Sequence, residues 1–65
     1  MNNIKTKAVE LIKNYMGNET AKLYAGFYQD QEEENVLMSV SELLTEYIGS
    51  SQAKEVLIKN GLIKN

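Results

Sequence analysis

The side chains available for chemistry are restricted, because the 65-residue chain contains neither histidine nor cysteine. Nucleophile and base pairs are built mostly from Ser, Cys or Lys with His, and zinc, iron and copper are held mainly by the same two missing residue types. Carboxylates are left. Asp30, Glu32 and Glu34 stand at the first, third and fifth places of an EF-hand count, but the sixth place is Asn35 rather than Gly and the twelfth is Ser41 rather than a bidentate Glu. An acidic helix start is the expected reading of this stretch, with no metal bound. Glu10 and Glu42 form the other conspicuous pair. Acid-base catalysis by two carboxylates needs a cleft that drives their pKa values apart. Short helices leave little room for a pocket of several hundred cubic ångströms, so both glutamates are expected on solvated faces near lysines. Neither an enzyme nor a cofactor is expected.

The chain carries a formal charge of -2, and all of its positive side chains are lysine. Phosphate neutralisation supplies most non-specific affinity for nucleic acid, and arginine is the residue suited to bidentate reading of phosphate or guanine. Nucleic acid is therefore not the expected partner. The alternative retained is a helix-turn-helix reading, in which a helix after Gly17 or Gly49 would enter a major groove. Its fit is uneven. Around Gly49, Thr45 and Glu55 replace expected apolar residues, and around Gly17, Leu23 suits the pattern but Lys13 does not.

Apolar periodicity predicts four helices that would carry these groups. Ile4, Ala8, Leu11, Ile12, Tyr15 and Met16 recur at helical spacing, placing a first helix from about Asn3 to Met16. Gly17 is expected to end it in a left-handed conformation and Asn18 to cap the next helix. That second helix turns Ala21, Tyr24, Ala25 and Tyr28 inward, flanked by Leu23 and Phe27, and ends near Gln29. A third series runs through Val36, Val40, Leu43, Leu44, Tyr47 and Ile48, behind a start at which Asp30 and Glu33 are placed to form a capping box. Gly49 repeats the part of Gly17. Ser50 or Ser51 is expected to cap a last helix with Ala53, Val56 and Leu57 inward and Glu55 and Lys59 in water. Gly61 closes it, with Leu62 folding back on the last turn as in a Schellman ending.

Shifted by 32 residues, Glu10 to Lys22 and Glu42 to Lys54 agree at six of thirteen positions, as E-L-x-x-x-Y-x-G-x-x-x-A-K. The stripes align as well: Ile4 on Val36, Ala8 on Val40, Ile12 on Leu44 and Met16 on Ile48. The expected fold is thus all-α: one domain spanning 1–65, built as two tandem helical hairpins with halves at about 1–32 and 33–65, its core open to completion by dimerisation. Because no Gly or Pro lies between Phe27 and Ile48, a rival architecture fuses the second and third helices into one long rod. Gln31, Glu32 and Asn35 interrupt the stripe and argue for a break.

Tyr15 and Tyr47 are expected in the core with their hydroxyls at the rim. Leu23, Phe27, Tyr28, Leu37, Met38 and Ile58 are the candidate partner-binding residues, since most of them lie beside the main stripes and widen the apolar surface beyond what one small bundle covers. The N-terminus lacks the continuous apolar stretch of a signal peptide, and no segment approaches a membrane span. The functional expectation is a cytoplasmic, noncatalytic protein-protein interaction module, a regulator or inhibitor of a larger partner and itself a homodimer. Any function is expected where the halves differ, in Leu23 to Asn35 and from Glu55 onward.

Overall fold

In the computed structural model, which describes residues 3–64, four helices follow one another: α1 (Ile4–Met16), α2 (Asn18–Tyr28), α3 (Glu33–Ile48) and α4 (Ser50–Lys59). Met1, Asn2 and Asn65 of the expected domain lie outside the described residues. α1 packs on α2 and α3 on α4, giving two hairpins, and the hairpins join through α1 against α3. The outer helices α2 and α4 therefore flank a central pair.

The periodic stripes form the core. Ala8, Leu11 and Ile12 from α1 and Val36, Val40 and Leu44 from α3 are buried, joined by Ala21 and Tyr28 of α2 and Ala53 and Leu57 of α4. Ala21 and Ala53 are the small residues that the outer helices bury at equivalent positions. Lysines of α1 tie the outer helices down at their C-terminal ends, where unpaired carbonyls favour a cation. Lys5 Nζ donates to the Gln29 carbonyl at 3.0 Å, and Lys7 Nζ donates to the Asn60 carbonyl at 3.1 Å.

α2 and α3 are separate helices, not one rod. A continuous helix from residue 18 to 48 would be about 46 Å long at 1.5 Å per residue, whereas the longest extent of the molecule is 27 Å. The polar run 29–32 turns the chain, as the interrupted stripe implies.

The helix ends differ from expectation in an instructive way. Asn18 does not cap α2, and neither Ser50 nor Ser51 caps α4; the capping positions are Gly17 and Gly49, and both serines lie within α4. Each glycine closes one helix and opens the next. Gly17 N–H donates to the Lys13 carbonyl at 3.0 Å while its own carbonyl accepts from Ala21 N–H at 3.1 Å; Gly49 does the same between Thr45 at 3.0 Å and Ala53 at 2.9 Å. Reversing direction within one residue requires φ 95°, ψ 168° at Gly17 and φ 90°, ψ 156° at Gly49. These are not the left-handed helical values expected but an extended backbone at positive φ, a region essentially confined to glycine. The capping box at Asp30 and Glu33 is also absent: Glu32 holds the cap position of α3 without a side-chain bond, so Glu33 and Glu34 act through the favourable field of the first turn. Asn3 supplies the side-chain cap of α1, its Oδ1 accepting from Thr6 N–H at 3.0 Å.

The last turn forms as the sequence implies. Leu62 N–H reaches the Leu57 carbonyl at 2.9 Å and Gly61 N–H the Ile58 carbonyl at 3.0 Å, the two bonds of a Schellman ending, and Leu62 is buried against the core. Two residues depart from their stripes. Ala25 faces solvent, and Tyr47 is 58% exposed although its equivalent Tyr15 is half-buried. Periodicity gives the direction of a side chain but not whether a neighbouring helix extends far enough to cover it.

Candidate partner-binding surface

The core reaches the surface through a cluster of aromatic rings on α2. Tyr28 is buried, and its hydroxyl is hydrogen-bonded to Ser39 Oγ of α3 at 2.8 Å. One turn earlier, Tyr24 packs against it with ring centroids 5.6 Å apart and planes inclined at 51°. Phe27 then meets Tyr24 edge-to-face, again at 5.6 Å, with planes at 85°. Such pairs favour offset or perpendicular geometry because of the ring quadrupole. Phe27 is thus held by a chain of contacts leading to the core while remaining 56% exposed. Leu23, four residues before it and on the same side of the helix, is 57% exposed.

Burial also governs the chemistry of Tyr28. Removal of the phenol from water pushes its pKa above the ordinary value, opposed by the hydrogen bond with Ser39 and reinforced by Tyr24. The hydroxyl therefore works as a neutral hydrogen-bonding group that links α2 to α3.

The six candidate residues differ in exposure. Leu23 and Phe27 share a face of α2. Met38 is 62% exposed on α3, with Glu34 and Glu42 one turn away on either side. Leu37 is half-buried and packs on the core, Ile58 is half-buried on α4, and Tyr28 belongs to the core itself. Tyr47, assigned to the core by its spacing, is the fourth large exposed apolar side chain among the described residues. Gly26, between Leu23 and Phe27, is a further feature of this face; its signal in the sequence is a glycine within a helical pattern where the backbone has no need of one.

Between α1 and α2 lies an open groove of about 360 Å³, with Val9, Ala25 and Tyr28 on its apolar side and Lys5 and Glu10 among its polar lining. Its volume exceeds what four short helices were expected to leave. Glu42 borders a separate depression on α3, beside Glu46, so Glu10 and Glu42 do not share a cleft. Among the described residues, no three acidic side chains come together in a way that could hold a metal ion, and no helix is long and apolar enough to cross a membrane.

Comparison with family models, curated proteins and solved structures finds no match. The functional reading rests on the surface itself.

Proposed function

We propose that the chain is a noncatalytic protein-protein interaction module of the cytoplasm, a small regulator or inhibitor that acts on a larger partner and associates as a homodimer. The supporting observation is the exposure of Leu23, Phe27, Met38 and Tyr47 outside a core built from other apolar residues. Side chains of this size contribute most when buried, and aromatic residues and Met are enriched where proteins meet. Because Tyr24 restrains Phe27 before any contact is made, less side-chain freedom is lost on binding.

The helix-turn-helix alternative has less support. That motif joins its helices by three or four residues, whereas each hairpin here turns through a single glycine, and the chain is acidic.

A photo-crosslinking residue at position 38, introduced into the protein in its native cells, tests the partner half of the reading. A discrete adduct with one larger protein is expected, weakened when Glu42 is replaced by Lys. Absence of any adduct, together with a strictly monomeric chain, would contradict it.

A further inference from the structure

We infer that the exposed face of α2 is the homodimer interface, in which Gly26 of one copy meets Gly26 of a second copy running antiparallel and Leu23 of each copy packs beside Phe27 of the other. This rests on the homodimer reading above and adds the surface, the symmetry and the residues at its centre.

The two hairpins provide an internal control. The 32-residue shift sets Leu23 on Glu55, Gly26 on Ile58 and Phe27 on Lys59. In α4 the places of Leu23 and Phe27 are filled by charged residues that face water. In α2 the same places remain exposed but carry large apolar groups. The fold of one copy therefore does not require apolar residues there.

Gly26 gives the second observation. Glycine within a helix is unfavourable relative to alanine, and Gly26 lacks the positive φ that makes glycine necessary at Gly17, Gly49 and Gly61. A Cβ placed on Gly26 would meet nothing within 4 Å. Neither backbone conformation nor packing within the chain calls for glycine, whereas close approach of a second helix does.

Charge selects the occupant and its direction. Lys22, Gly26 and Asp30 lie at intervals of four along one row of α2, and Gln29, with φ −53° and ψ −42°, continues the helical path to Asp30. Leu23 and Phe27 form the adjoining row, so a ridge of large side chains lies beside a low row centred on Gly26. A twofold axis at Gly26, perpendicular to the helix, stacks the low row of one copy on that of the other, sets Lys22 opposite Asp30 of the second copy, twice, and brings Leu23 of each copy beside Phe27 of the other. A parallel pair would oppose Lys22 to Lys22. The face is thus complementary to itself in the manner a twofold dimer requires. One helix of 11 residues presents less than the roughly 800 Å² per partner of a standard interface, so association is expected in the micromolar range or weaker.

Because the chain has no native cysteine, a single introduced thiol reports the geometry directly. Gly26→Cys is expected to form an interchain disulfide under mild oxidation at least tenfold faster than Ser51→Cys on α4. Gly26→Leu, which favours the helix, is expected to remain folded by circular dichroism but to become monomeric by light scattering up to 1 mM, a ceiling of about three decades above the micromolar scale. If Gly26→Leu stays dimeric and Gly26→Cys crosslinks no faster than Ser51→Cys, the interface lies elsewhere and only this inference falls. If the unmodified chain is monomeric at the same concentration, the homodimer reading falls with it, and the face is left to a different protein.

Discussion

The α1–α2 and α3–α4 hairpins turn in the same way and then show different surfaces to water. Gly17 and Gly49 have nearly the same backbone angles and the same pair of hydrogen bonds, and Ile12 and Leu44 are both fully buried at equivalent positions. Past Lys22 and Lys54 the likeness ends. α4 carries Glu55 and Lys59 where α2 carries Leu23 and Phe27, and α4 ends in a Schellman turn with buried Leu62 while α2 ends in a buried tyrosine bonded to α3. Equal parts of the hairpins thus build the fold, and the unequal parts distinguish the surfaces from which function is proposed.

The strongest way to break this comparison is to remove equivalent core side chains. Ile12→Ala and Leu44→Ala are each expected to cost about 2–5 kcal/mol, a large part of the total for a domain of this size. Thermal unfolding followed by circular dichroism should show both variants largely unfolded at 37 °C. Tolerance of one but not the other would mean that the two central helices do not carry equal shares of the core.

The turns come next. Gly17→Ala and Gly49→Ala place a Cβ on backbone at positive φ and are each expected to cost about 1–3 kcal/mol, read as a lower urea midpoint. D-alanine at the same positions, introduced by chemical synthesis, should recover most of the loss because its preferred φ is positive. Equal losses for L- and D-alanine would show that crowding rather than backbone conformation makes glycine necessary, against the open space around both residues.

Tyr28→Phe removes the hydroxyl that bonds Ser39 and should cost about 1 kcal/mol. It also carries a pH signature. Burial raises the folded-state pKa of Tyr28, so below about pH 10 both folded and unfolded chains keep the proton and this residue adds no pH dependence. Above pH 10 the unfolded chain ionises first, and stability falls as pH rises toward the raised value. The alkaline loss in urea unfolding should be smaller for Tyr28→Phe than for the unmodified chain; identical slopes would count against a buried phenol.

Much of this was legible in the amino-acid sequence. Spacing of apolar residues located all four helices, because a helix buries one face and the period of that face is visible in a linear chain. The repeat offset correctly paired Gly17 with Gly49 and Ala21 with Ala53. What spacing could not show was the reach of a neighbouring helix, hence Tyr47 in solvent and Ala25 beside an open groove. Nor could it show that the turning glycines would occupy the cap positions themselves and displace Asn18, Ser50 and Ser51. At the candidate surface, Leu23, Phe27 and Met38 were recognisable as apolar residues off the main stripes. Tyr28 stood both on the inward stripe of the second helix and among these candidates, and its burial follows the stripe.

The smallest expected effect on stability belongs to the substitution that bears most on function. Leu23→Glu with Phe27→Lys gives α2 the residues of α4, and replacement of exposed side chains should change stability by about 0.5 kcal/mol or less. Light scattering across a concentration series tests the central claim: the unmodified chain should move from the chain mass of 7.4 kDa toward twice that value, while the double variant should stay at the chain mass with unchanged helical content. A double variant that associates as readily as the unmodified chain would contradict the claim that the difference between the two outer helices is what the protein uses to bind.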